Sequence, residues 1–166
     1  MTLTTHAIVG AALASVVPSH PVAAFALGFG SHFLLDAIPH WDYHLDSLSE
    51  DKKNPMATDM KLGKSFLFDL CKIGADFLLG FVLVFLFFTT PHNISYSIIF
   101  GAFGAILPDA LQFFYFKWRH EPLVALQKFH LWVHSKKDFK DKPFIGVSFQ
   151  IIFIAFVIFL QKIFVH

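Results

Sequence analysis

Cysteine is almost missing from this chain: Cys71 is the sole thiol among its 166 residues. No disulfide framework can staple the fold and no thiolate cluster can bind a metal, so any metal would be held by His and carboxylate. Charge is scarce as well, at 15% of residues, with a net charge of +1 and a pI near 7.9. The lysines fall in loops and form no dense basic stripe, which excludes nucleic acid as an expected partner. The N-terminus lacks the basic start and small-residue cleavage site of a signal peptide, and His6 comes too early for one, so the first helix is read as part of the mature protein. A phosphate-cradling loop is missing too: Gly101 and Gly104 follow no strand and read as a small-residue packing face.

What the chain has in abundance is apolar surface. Hydrophobic residues make up 55%, mean hydropathy is +0.60, and there are 23 Phe. The runs Phe81 to Phe88 and Ile151 to Leu160 contain no charge, and water is a poor solvent for such surfaces. The expected fold is therefore an all-α polytopic membrane bundle of about five helices in a single domain, residues 1–166. Three spans are expected at Leu67 to Thr89, Ile94 to Phe116 and Ile145 to Phe164. Before them, Pro18-Ser19-His20-Pro21 splits a long apolar stretch into two pieces. Proline at two close positions favours a turn, so a hairpin is expected: one helix capped by Thr4 or Thr5 and running to about Val17, the next from Pro21 to about Ile38.

Two long loops remain, at about 39–65 and 117–143. Lys52, Lys53, Lys61 and Lys64 lie in or beside the first, and Lys117, Arg119, Lys128, Lys136, Lys137, Lys140 and Lys142 in or beside the second, whereas Pro91-His92-Asn93 has no basic residue. The positive-inside rule places both long loops, and the N-terminus, in the cytoplasm. The stretch from Asp46 to Lys64 reads as either a lid or a tether.

The hairpin has a consequence for chemistry. His6 lies eleven residues before Val17 and His32 eleven after Pro21, so both sit roughly 16 Å from the turn, level with each other. Asp36 is one turn beyond His32 on the same face. Asp69 and Asp76 share a face of the third helix, and Asp109 lies toward the cytoplasmic end of the fourth. Further candidates are His40-Trp41-Asp42-Tyr43-His44 and His130-Leu131-Trp132-Val133-His134. In a helix, the HxxxD pair His32/Asp36 and the HxxxH pairs His40/His44 and His130/His134 would each place two ligands on one face. Carboxylates at membrane depth need cations, and Lys72 is the one basic residue inside these helical segments. Lys72 can pair with Asp69 or Asp76, which leaves those two open between ion pair and ligand. His40, Asp42 and His44 are likewise open between ligation and capping at the headgroup level, with Trp41 and Tyr43 as interfacial anchors. His20, His92, His120 and His166 read as hydrogen-bonded or solvent-exposed. The candidate metal ligands are His6, His32, Asp36, His40, Asp76, Asp109, His130 and His134, with Asp36 and Asp109 as the catalytic carboxylates.

Several of these pieces resemble a family of membrane-bound metal-dependent hydrolases of bacteria and archaea, some of which are described as inner-membrane-associated LexA-binding proteins. The likeness rests on Thr5-His6 followed by Gly10, Ser31-His32-Phe33-Leu34-Leu35-Asp36, Gly104-Ala105-Ile106-Leu107-Pro108-Asp109, and His130 with His134-Ser135. It implies a helical metal site and, more distantly, a likeness to zinc-dependent phospholipase C. The chain departs from the family pattern at Ala110-Leu111-Gln112, where another acid and a His are usual, and at His130-Leu131, where His-Arg is usual. Pro39-His40-Trp41-Asp42 is the expected source of replacement ligands.

The expected function is hydrolysis of a phosphoester in a lipid or lipid-linked substrate at the cytoplasmic face of the inner membrane. A divalent metal would serve it, zinc foremost, with manganese and iron as alternatives. Lys72, Arg119 and Lys128 are candidates to contact the phosphate. The rival expectations are a metal-ion carrier and a non-catalytic membrane protein with a structural metal, offering His130 to Lys142 to a protein partner.

Overall fold

The computed structural model describes residues 1–51, 53–89, 95–137 and 139–164. The Pro91-His92-Asn93 connection, Lys52 and His166 lie outside them. The fold is helical: α1 (Leu3–Ala14), α2 (Pro21–Asp36), α3 (Lys64–Phe88), α4 (Tyr96–Lys117), α5 (Leu123–Val133) and α6 (Pro143–Phe164). Helices α3, α4 and α6 are long and apolar enough to cross a membrane. A two-stranded antiparallel pair, β1 (Leu48–Ser49) and β2 (Asp59–Met60), is the only sheet among the described residues.

The expected hairpin forms, with α1 ending at Ala14 instead of near Val17. Its turn is held by Ser97, whose hydroxyl donates to the Pro18 carbonyl at 2.8 Å. Helix α1 starts earlier than expected because Thr2, not Thr4 or Thr5, is the N-cap, its Oγ1 accepting the Thr5 N–H. Eleven of the twelve α1 residues are buried. The helix runs through the middle of the bundle, packed by α2, α3, α4 and α6.

Small residues make this packing close. A Cβ at Gly10 or at Gly28 would fall on the Gly101 carbonyl oxygen, and one at Gly104 on that of Phe25. Both arms of the hairpin therefore lie directly on the backbone of α4, as small-residue interfaces allow. By contrast α3 buries only Asp69, Gly80 and Val84, and α6 only Gly146 and Gln150. Their remaining surface is mostly Phe, Leu, Ile and Val, which a bilayer would cover.

The stretch expected as one continuous loop at 117–143 contains α5, which brings the helices to six instead of about five. Its inner face carries Gln127 and His130, both buried, while Trp132 and Phe129 are exposed on the other side. The loop after α2 is a fastened tether. The Tyr115 hydroxyl donates to the Met56 carbonyl at 2.8 Å, Lys117 Nζ pairs with Asp59 at 2.8 Å and also meets the Met60 carbonyl, and Arg119 donates to the carbonyls of Met56, Ala57 and Thr58. The Lys117 ammonium holds the Asp59 carboxyl below the usual carboxylate range.

Two glycines of α2 give a controlled test of the packing. Gly28→Val must push α2 off α4 and should cost about 2 kcal/mol or more, whereas Gly30→Val, where a Cβ meets nothing within 4 Å, should be near neutral. Thermal unfolding of both variants in detergent checks the difference.

Candidate metal centre

Asp36 is the hub of a buried cluster to which four helices contribute. Its side chain is only 2% exposed. Oδ2 lies 3.1 Å from His32 Nε2 and 3.0 Å from His130 Nε2. Oδ1 lies 3.2 Å from His6 Nε2, 3.9 Å from His40 Nε2 and 3.0 Å from the Met1 ammonium. The level placement expected of His6 and His32 is realised as ring stacking, with centroids 4.1 Å apart. Asp109 approaches His32 Nε2 at 3.6 Å, and its side chain stays 33% exposed. His134 packs against His40, ring centroids 4.9 Å apart.

The backbone dictates which nitrogens face inward. His32 Nδ1 lies 2.8 Å from the Ala105 carbonyl oxygen and His40 Nδ1 2.7 Å from that of Ile38. His134 Nδ1 lies 3.1 Å from the Ser135 carbonyl. A carbonyl only accepts, so each Nδ1 carries the proton, and in the neutral ring Nε2 presents a bare lone pair. Pro108 sits inside α4. It cannot donate to the Gly104 carbonyl, which loosens the turn that supplies the Ala105 oxygen. Burial pushes the His134 imidazole below its ordinary pKa and so favours its neutral form.

The result is a surplus of acceptors. His32 Nε2 lies 3.4 Å from His130 Nε2 as well as beside Asp36, and a single proton on His130 Nε2 cannot satisfy both neighbours. Both His6 ring nitrogens and His40 Nε2 are buried without a hydrogen-bond partner. Each neutral ring leaves one nitrogen bare of a proton, and such orphan nitrogens beside a carboxylate are costly unless a cation sits among them. The Met1 ammonium lies 3.0 Å from both Asp36 and Asp42. Burial opposes ionisation of Asp42, but the Met1 ammonium beside it outweighs that and holds its carboxyl below the usual range.

Two ligand groups can be drawn through Asp36, each with its donor atoms within 4.8 Å of one another: His32, Asp36, Asp109 and His130; and Asp36, His40 and His134. That spacing suits ions bound at roughly 2.0–2.2 Å by N and O donors, so a buried His/Asp group here can hold a metal ion. The Nδ1–H bonds to carbonyls are the supports that fix ligating imidazoles.

Not every candidate joins. Asp76 accepts the N–H groups of Leu3 at 2.7 Å and Thr4 at 3.1 Å, and the Thr4 hydroxyl at 2.7 Å. It anchors the start of α1, where an acid complements the helix dipole. Asp69 accepts the Ser47 N–H and hydroxyl, both at 2.7 Å, and pairs with Lys72 at 3.0 Å. The HxxxH reading of His40 and His44 fails, because α2 ends at Asp36 ahead of Pro39 and the two rings share no helix face. His44 is 85% exposed beside Asp46.

Residues outside the expected ligand set complete the site. Asp42 Oδ2 lies 3.0 Å from His40 Nε2. Gln150 of α6 accepts from Thr2 N, Thr2 Oγ1 and Thr5 Oγ1 and donates to the Trp41 carbonyl at 2.7 Å. Its one sequence signal is an amide in the middle of an apolar run.

The two kinds of acid separate experimentally. Asp36→Asn should weaken zinc or manganese binding by more than about 100-fold, beyond the range of outer-shell partners. Asp76→Asn should leave that affinity unchanged and lower the thermal midpoint; competition with a fluorescent chelator and thermal unfolding read the two effects. Comparisons with protein-family models, with curated proteins and with solved structures find no match for this chain.

Proposed function

We propose that the chain is a membrane-embedded, metal-dependent hydrolase that cleaves a phosphoester in a lipid or lipid-linked substrate at the cytoplasmic interface. The observation that carries this reading is the pair of ligand groups sharing Asp36, with Asp109 one-third exposed at their edge. Zinc, manganese or iron suits the all-N/O donor set. Bound there, the metal would lower the pKa of a water and polarise a phosphoryl oxygen.

The chain's own groups divide the remaining work. Asp36, buried and approached on both oxygens, positions the imidazoles. Asp109, the accessible carboxylate, takes the proton from a water at the open side. Burial, with the Asp76 and Asp109 carboxylates nearby, pushes the Tyr43 phenol above its ordinary pKa. It stays protonated, its hydroxyl hydrogen-bonded to Asp76.

The motifs that carry the likeness to the membrane-bound hydrolases supply His6, His32, Asp36, Asp109, His130 and His134, which supports the same reading. The basic residues of both long loops favour a cytoplasmic orientation in the inner membrane. An exposed Asp109 favours an open site over a closed structural ion. The opposite end of the hairpin, Pro18 to Pro21 beside Ser95 to Ile99, contains no acid, which disfavours a carrier path across the bilayer.

Detergent-purified protein loaded with zinc or manganese should hydrolyse a short-chain phosphatidate. Asp109→Asn should lower turnover by at least about 100-fold while bound metal remains, and Asp36→Asn should abolish both. Full metal loading without turnover, or turnover indifferent to Asp109→Asn, would contradict the reading.

A further inference from the structure

Between α5 and α6 runs a strap stitched to the segment that carries the ligands. The Ser135 N–H donates to the Asp36 carbonyl at 2.7 Å and the Phe139 N–H to the His40 carbonyl at 2.9 Å. The Lys142 N–H then bonds the Phe139 carbonyl at 2.8 Å as the chain turns into α6. Gly146 seats the first turns of that helix tightly, since a Cβ there would fall on Trp41 Cβ and crowd Phe139.

Pro39, Lys137, Phe139, Asp141 and Lys142 line a cleft of about 410 Å³, a volume within the range of small-molecule sites. Pro39 places its wall one peptide bond from His40. Pro39, Phe139 and the methylene stems of two lysines bring apolar surface to that wall, and the same lysines bring two ammonium groups. Asp141 offsets one of the two charges. Of the other basic groups considered for phosphate, Lys72 is committed to Asp69, Asp46 and the His44 carbonyl, and Arg119 to the tether. Among the described residues, neither Lys137 nor Lys142 has an ion-pair partner for its ammonium.

We propose that this cleft seats the phosphate headgroup of an amphiphile, with Lys137 and Lys142 on the phosphate and Pro39 and Phe139 against the first methylenes. Its bearing on turnover rests on the hydrolase reading, because a headgroup held here lies beside His40 and the metal centre. Binding itself needs neither metal nor hydrolysis. An apolar wall with cationic tips discriminates in two directions: inorganic phosphate lacks the methylenes, and a neutral diacylglycerol lacks the charge.

The test is binding of dihexanoyl phosphatidate to the full chain in detergent after chelator treatment, followed by tryptophan fluorescence, since Trp41 borders the strap. Lys137→Gln combined with Lys142→Gln should weaken binding about tenfold with an unchanged thermal midpoint. Inorganic phosphate and dihexanoylglycerol should both bind more weakly than phosphatidate. Unchanged affinity in the double lysine variant overturns the proposal, as does inorganic phosphate or dihexanoylglycerol binding as tightly as phosphatidate. If the protein binds phosphatidate in this lysine-dependent way but hydrolyses nothing, the hydrolase reading fails and the cleft stands. If it hydrolyses phosphatidate with a KM indifferent to the lysines, the cleft fails alone.

Discussion

A carboxylate buried among imidazole lone pairs is the constraint on which the rest of this structure turns. Asp36 has little contact with water; its neighbours at about 3 Å are the Nε2 atoms of His6, His32 and His130 and the Met1 ammonium, and His32 turns its Nδ1 proton away toward a backbone carbonyl. Such an arrangement is unfavourable as a set of neutral rings around an anion and favourable around a cation. The fold holds it in place from several directions at once. Gly10, Gly28 and Gly104 bring α1 and α2 onto α4, which sets His6, His32 and Asp109 at one depth. Pro108 loosens the α4 turn that receives His32, and the strap after α5 bonds the carbonyl of Asp36 itself.

The acids of the chain fall into two classes by what they face. Asp69 and Asp76 face N–H and O–H donors, which consume their lone pairs and make them anchors: one fastens the tether to α3, the other starts α1. Asp36 and Asp109 face imidazole nitrogens. The difference is not one of burial, since Asp69 is as buried as Asp36; it lies in the imidazole rings that gather around Asp36 and are missing around Asp69 and Asp76 among the described residues. Gln150 belongs to the supporting class, because its amide accepts from the start of α1 and donates to the Trp41 carbonyl, tying α6 to the site through one polar side chain.

Much of this was legible in the sequence, for identifiable reasons. Pro18 and Pro21 impose a turn whatever surrounds them, and a fixed rise per residue then makes His6 and His32 level. The HxxxD spacing of His32 and Asp36 needed only a helix, which the apolar run supplies. What was hidden depended on partners distant in sequence. Asp76 looks like a ligand until the N-terminus of α1 is seen to lie against it, 72 residues away for Thr4. Helix α5 is short and lies in a stretch with charged neighbours, so its inward face is defined only by the bundle it meets. His40 and His44 were read with helical spacing, yet Pro39 disfavours helix at the residue before it and α2 has already ended at Asp36. The role of Asp42 is set by the Met1 ammonium and His40, a grouping that chain spacing alone does not reveal.

The central claim is that cations occupy the acceptor-rich space around Asp36. X-ray absorption at the zinc edge of the zinc-loaded protein tests it most directly. The account predicts a shell of nitrogen and oxygen donors at about 2.0–2.1 Å with imidazole scattering, and a second zinc at about 3.5–4 Å, both lost in Asp36→Asn. A protein that takes up no zinc, or whose zinc is bound through sulfur or by water alone, would contradict it.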